Sequence, residues 1–261
     1  MSGNGLALTV LGSGTGVPVP ERACAGYWLQ APKLSALVDC GSGVLRRLAE
    51  AGGDYRELDA VFVTHTHVDH VGELALLLHA LKATPGFRRE RPLHVAGPPG
   101  FPAWFEAHVA ALAPPKHLDV RVAEAASLDM LHGVEVRTVA TRHTPRLPSL
   151  AYRFAHADRS LVVTGDADRD PALARFAAGA DLLVADCSFP DALKVAGHMS
   201  ATECGHLASE AGVGRLVLSH LYPVDAAVET RLDEARAACA AEVLLARDGL
   251  RLALAGPDAG Q

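Results

Sequence analysis

The stretch VFVTHTHVDHVG, residues 61 to 72, places His65, His67, Asp69 and His70 within six positions, directly after an apolar run. A solvated loop does not need such a set, and an apolar core does not favour it. Neutral imidazole and carboxylate together are good ligands for borderline divalent metals. A catalytic zinc ion takes about three protein ligands and keeps one position open. Four ligand types from one segment are a surplus for one ion. They predict two neighbouring ions, with further ligands arriving from elsewhere. Side chains alternate in direction along an extended passage, so His65 and His67 point the same way. Asp69 and His70 then fall at the turn into the next helix.

Candidates for the remaining ligands follow from asking which His or Asp ends an apolar strand. VEVRTVATRH ends at His143, SLVVTGD at Asp166 and RLVLSH at His220. Strand carboxyl ends converge on one rim of a layered α/β fold, where sites commonly form. Taken alone, His143 and His220 read as structural histidines, and Asp166 reads as a turn residue after Gly165. The dense first cluster shifts the balance toward a shared metal site. The full set is then His65, His67, Asp69, His70, His143, Asp166 and His220.

These groups need a scaffold, and the pattern supplies one. ALTVLGSG, GYWLQ, SALVDCGSG and DAVFVT read as strands, the last delivering the histidines. GVLRRLAEAG and GELALLLHALKA read as helices. RPLHVAGPPG, FPAWFEAHVAALAPP, LDVRVAEA and VEVRTVATRH suggest strand, helix, strand, strand. A hairpin turning at HADR follows, then helix PALARFAAGA and strand DLLVADCS. Helix 201–211, strand RLVLSH, helix 225–238 and strands AEVLLA and LRLAL complete the order, with a frayed tail at 256–261. SATE at 200–203 is a capping box, which makes Ser200 a helix cap and not a catalytic serine. Alternating strands and helices with interspersed hairpins predict a layered α/β (α+β) architecture with mixed sheets. No linker or repeat interrupts it, so residues 1–261 read as one domain.

The chain of 261 residues is 49% hydrophobic and 21% charged, enough apolar content for a sizeable core. Its formal charge of −6 lacks the basic balance of a nucleic-acid binder. FRRER at 87–91, the strongest basic cluster, reads as a solvated loop. Five cysteines without a CxxC pair read as free thiols in a reducing compartment. The N-terminus lacks a basic, apolar leader and no apolar run approaches membrane length, so the expectation is a cytoplasmic protein without membrane contact. GSGTG at 12–16 imitates a dinucleotide loop, but the third glycine is misplaced and Pro18 and Pro20 stand where a helix should start. That loop reads either as a cover over the metal rim or as plain surface.

THTHVDH resembles the T-H-x-H-x-D-H signature of the metallo-β-lactamase superfamily, and His143, Asp166 in TGDA and His220 in LSH follow in the same order. LGSGTGVPVPER, LVDCGSG with Asp39, and GHMS narrow the resemblance to the ribonuclease Z-like branch, which includes tRNA 3'-end endonucleases and small phosphodiesterases. The resemblance implies a four-layer αββα sandwich and two divalent metal ions, Zn2+ first and Mn2+ second. It implies that His65, His67 and His143 hold one ion, that Asp69, His70 and His220 hold the other, and that Asp166 bridges. It makes Asp39 the carboxylate that orients a ligand histidine. His198 becomes the acid for the leaving oxygen, backed by Asp186, where the branch usually has glutamate. Asp69, His198 and Asp186 are the expected catalytic residues. Arg146, Arg153 and Tyr222 are weaker candidates for steering a phosphate.

Positions 143 and 166 are only 23 apart, where the tRNA-cleaving relatives insert a long arm. One hairpin fills that interval. The first expectation is therefore a compact phosphodiesterase acting on a small or cyclic phosphodiester. An endoribonuclease without the arm, and a thioester, lactone or sulfate-ester hydrolase, are alternatives. A metal-stabilised binding module is the non-enzymatic one. The resemblance also implies a homodimer.

Overall fold

Apolar residues alternate between two sides of the strands, and both sides are buried. A computed structural model describes residues 5–224 and 228–254. The first sheet contains β1 (Leu6–Gly12), β2 (Gly26–Ala31), β3 (Leu34–Val38), β4 (Ala60–Phe62), β5 (Leu93–Gly97), β6 (Val120–Glu124) and β14 (Arg251–Leu254). The second contains β7 (Met130–Leu131), β8 (Val134–Ala140), β9 (Leu150–His156), β10 (Arg159–Val163), β11 (Leu182–Asp186), β12 (Arg215–Ser219) and β13 (Glu242–Leu245). Their orders are β14-β1-β2-β3-β4-β5-β6 and β13-β12-β11-β10-β9-β8-β7. Both are mixed: β3 to β6 and β10 to β13 run parallel, and the other pairs antiparallel.

Three apolar layers explain why the sheets stack. Leu8, Val10, Ala60 and Phe62 face Phe154, Leu161, Leu182 and Val184 in a core between the sheets. The intervening residues face outward and are buried again. Leu11, Val61 and Val63 pack against α1 (Val44–Glu50), α3 (Leu74–Ala83) and α4 (Phe101–Phe105). Val162, Leu183 and Leu218 pack against α5 (Pro171–Phe176), α6 (Ala201–Ala211) and α7 (Glu229–Ala238). Period-two alternation with both faces covered is how strands inside an α/β sandwich read. The result is the expected four-layer αββα arrangement.

The departures from the sequence reading are local. The helix predicted over FPAWFEAHVAALAPP is α4 followed by a wider π-type turn, Glu106–Ala110. Ladder pairing in β4 stops at Phe62, two residues before the read strand ends, because Thr64 turns its backbone N–H to Asp39 Oδ1 at 2.8 Å. A short helix, α2 (Val68–Val71), carries Asp69 and His70. The strand Met130–Leu131 had no signal in the sequence. The helix expected over 225–238 is described from Glu229, and the tail at 256–261 lies outside the described residues. No helix among the described residues is long and apolar enough to cross a membrane.

Candidate metal centre

The rim of the sandwich collects the end of β4 and α2 from one sheet. From the other it collects the carboxyl ends of β8, β10, β11 and β12. All nine expected site residues meet there. His65 Nε2 lies 2.9 Å from His67 Nδ1, and His143 Nε2 lies 3.1 Å from the same atom. His70 Nε2 and His220 Nε2 are 3.3 Å apart, with Asp69 Oδ2 3.5 Å from His220 Nε2. Asp166 stands between the two sets. Its Oδ1 is 3.2 Å from His70 Nε2 and 3.3 Å from His220 Nε2. Its Oδ2 is 3.5 Å from His65 Nε2 and 3.7 Å from His143 Nε2.

Hydrogen bonds behind the rings decide which nitrogen faces inward. His70 Nδ1 donates to Asp39 Oδ2 at 2.8 Å, and His143 Nδ1 donates to the Gly197 carbonyl at 2.9 Å. Ser188 Oγ donates to Asp186 Oδ1 at 2.6 Å and so accepts from His220 Nδ1 at 2.9 Å. Thr64 Oγ1 donates to Asp39 and lies 3.1 Å from His65 Nδ1. Each ring turns its remaining nitrogen inward, and these nitrogens converge as ligands for a metal that displaces any proton they hold. Asp166 Oδ1, fully buried, has no hydrogen-bond donor. Converging ring nitrogens and a buried carboxylate oxygen without a hydrogen-bond partner call for positive charge among them, which divalent ions supply. The residues therefore fit divalent metal ions. Three groups have ligand atoms within 4.8 Å of one another: His65, His67, His143 and Asp166; Asp69, His70 and His220; and Asp166, Asp186, His198 and His220.

The charge balance agrees. Burial pulls His220 down, but Asp166, Asp186 and Asp69 more than offset it and hold the ring at about 10. His70 is likewise pulled down by burial yet raised well above its usual range by Asp166 and Asp39. Burial would raise Asp69 and Asp166, but the surrounding histidines hold both low. This side of the pocket demands positive charge. His65 and His67, by contrast, are lowered chiefly by burial and stay neutral, the form that binds a metal.

Local backbone is bent to serve the site. Asp39 and His220 both adopt left-handed conformations, φ 61° and φ 58°, although neither is glycine. Such outliers cost energy and concentrate at functional positions. Gly165 (φ 58°) lets Asp166 approach, since a Cβ there would meet Thr64 Cβ at 2.7 Å. Gly197 (φ 93°) lets its carbonyl reach His143, because a Cβ would sit 2.4 Å from the His143 oxygen.

Beside the ligand set lies a second constellation. His198 Nδ1 is 2.8 Å from Asp186 Oδ2 and 3.0 Å from Ser188 Oγ. The aspartate, one carbon shorter than the branch's usual glutamate, reaches the histidine directly. Burial would raise Asp186 and lower His198, but their mutual bond holds the carboxyl below and the imidazole above their usual ranges. Tyr222 stacks on Phe189 at 4.9 Å, with its ring 5.8 Å from His220. Burial, with Asp69, Asp166 and Asp186, raises its phenol.

The sequence reading missed three contributors. Ser188 joins Asp186, His198 and His220, and its place two residues past Asp186 was the signal. Thr64 connects Asp39 to His65 and His70. Buried Arg231 of α7 donates to the Tyr222 carbonyl at 2.8 Å and the Ser188 carbonyl at 3.3 Å, and nothing in the α7 pattern marks it. One weak candidate is corrected. Arg153 points to the Phe176 and Ala178 carbonyls and to Ser160 Oγ, so its charge is absorbed by α5 and β10 away from the rim. Ser200 forms the expected capping box with Glu203. Of the two readings of the loop after β1, the rim cover holds: a Cβ on Gly16 would lie 3.6 Å from the Asp69 carboxylate.

Comparison with known proteins places this geometry. Residues 35–221 match the family model described as the beta-lactamase superfamily domain. The chain is 35% identical over 260 residues to a ribonuclease Z of Mycobacterium sp. (strain KMS), covering 90% of each. Among solved structures it resembles the metallo-beta-lactamase fold protein YhfI from Bacillus subtilis, with TM-score 0.84, 27% identity and coverage of 96% and 99% of the two chains. Human tRNase Z, short form, shares the fold at TM-score 0.75 and 22% identity, over 94% of this chain and 98% of that one. The chain belongs to the metallo-β-lactamase superfamily, in its ribonuclease Z-like branch. It is a metal-dependent hydrolase.

Proposed function

We propose that this chain is a phosphodiesterase that cleaves a small phosphodiester. The observation that supports this best is Asp166, whose two oxygens face two histidine sets beside a carboxylate-backed His198. In this reading His65, His67 and His143 would hold one divalent ion, Asp69, His70 and His220 would hold a second, and Asp166, between the two sets, would serve both. Zn2+, with Mn2+ as the alternative, would supply a water nucleophile of lowered pKa and neutralise charge on the phosphoryl oxygens. Asp69 orients the attacking water with its carboxylate. Asp186 and Ser188 occupy His198 Nδ1, which leaves Nε2 to carry a proton to the leaving oxygen. Asp39 keeps His70 in the tautomer that presents Nε2 inward. The β9–β10 hairpin, turning on Ala157 and Asp158, fills the interval between His143 and Asp166 without an arm.

Metal analysis with bis-p-nitrophenyl phosphate turnover in added zinc or manganese tests the proposal. Metal-dependent turnover is expected. Failure on every phosphodiester, with cleavage of a lactone, thioester or sulfate ester, would replace it with that chemistry. A second reading, endoribonuclease, draws on the name of the mycobacterial relative. It requires cleavage of pre-tRNA that falls steeply with salt. A single domain, a homodimer and a cytoplasmic location are proposed with it.

A further inference from the structure

Exposed apolar side chains flank the rim residues of the metal centre in the chain. Val68, between His67 and Asp69, is 75% exposed. Val17, Val195 and Val224 are exposed too, at 44%, 48% and 42%. Each lies within three residues of a rim group: Val17 follows Gly16, Val195 precedes Gly197 and His198, and Val224 follows Tyr222. The partly buried Phe189 and Tyr222 rings, stacked with an interplanar angle of 14°, stand beside His198. Single exposed valines need no explanation, but four that each lie within three residues of a rim group, with an aromatic pair beside His198, do.

The cations nearby are already paired. Lys194 bonds Asp168 and reaches Glu203 at 2.6 Å. Arg142, which lines the roughly 590 Å3 cleft with His67, His143 and Gly197, pairs with Asp170 at 2.6 Å. Arg22 donates to Ser13 and the Ala246 carbonyl at 2.6 and 2.7 Å. Arg146, in the same loop as the cleft-lining Thr144 and Pro145, is exposed and has no carboxylate partner among the described residues. Among the described residues, a cation such as Arg146 without a carboxylate partner suits the single negative charge of a diester. A polyanion needs several.

Building on the phosphodiesterase reading, we infer that the substrate is a phosphodiester carrying an aryl or similarly apolar ester group. One ester group of the diester rests against Val68, Phe189 and Tyr222. Transferring a ring from water to such a wall is favourable, whereas a methyl ester leaves it wet.

The test keeps one leaving group and changes the other. Metal-loaded protein is assayed with phenyl p-nitrophenyl phosphate and methyl p-nitrophenyl phosphate. Calorimetry with diphenyl and dimethyl phosphate provides a binding readout independent of turnover. The phenyl compounds are expected to win by about tenfold in kcat/KM and in affinity. In Val68→Ser or Phe189→Ala that ratio falls to about twofold, while Leu112→Ser, exposed on α4's far continuation, leaves it unchanged. Two variants guard against one failing to fold. Equal handling of phenyl and methyl compounds overturns the inference and leaves the phosphodiesterase reading intact. A ratio unmoved in both variants overturns the assignment to this wall. If no diester is cleaved, the phosphodiesterase reading fails, and the calorimetric contrast still decides the apolar wall.

Discussion

The two halves of the metal centre are built differently. His143 is backed by the neutral Gly197 carbonyl, and His65 meets Asp39 only through the Thr64 hydroxyl. His70 and His220 are backed by buried carboxylates, Asp39 directly and Asp186 through Ser188. A carboxylate behind a histidine makes the ring more basic and a stronger ligand. The same side also carries Asp69 and adjoins His198. In the proposed centre the two positions are therefore unequal, one lined mainly by neutral histidines and one carrying the Asp69 carboxylate beside carboxylate-backed rings. Asp166 joins them, because its oxygens divide between the sets.

The largest effect should come from the shared group. Asp166→Ala is expected to weaken both ions and cut phosphodiester turnover by at least about 10³-fold. Metal titration checks it, and loss of one ion with the other bound normally would show that the carboxylate serves a single position. His198→Ala should lower kcat by about 10²- to 10⁴-fold. Metal content should stay at the wild-type value, and a parallel loss of metal would move His198 from proton carrier to ligand. Asp39→Asn is a sharper probe of the asymmetry, because asparagine tolerates the left-handed backbone at that position. One ion should bind about 10- to 100-fold more weakly, and the other within about twofold of wild type. Equal weakening of both would erase the proposed difference. The smallest effect is expected from Ser200→Ala, which removes the α6 cap. It should cost about 1 kcal/mol in denaturant unfolding. Turnover should remain within about twofold, and a larger drop would give Ser200 a role in the site.

The same asymmetry governs what could be read before the fold was known. The segment 65–70 announces itself, since four ligand types in six positions have few other uses. His143, Asp166 and His220 are single residues at strand ends, and only the dense segment gives them weight. Asp186 and His198 came from resemblance. Ser188 is marked only by its place two residues past Asp186, and Arg231 by nothing, because an arginine in a helix is ordinary in sequence.

From sequence alone came the alternation that builds two covered sheets, the strand ends that carry ligands, and the hairpin too short for an arm. These are local properties, decided by residue type and spacing along the chain. Only tertiary structure decided that Asp166 divides its oxygens between two histidine sets, that Asp186 reaches His198, and that Arg153 turns away from the rim. Those outcomes depend on distances between residues tens of positions apart, which the packing of the two sheets sets and no spacing along the chain encodes.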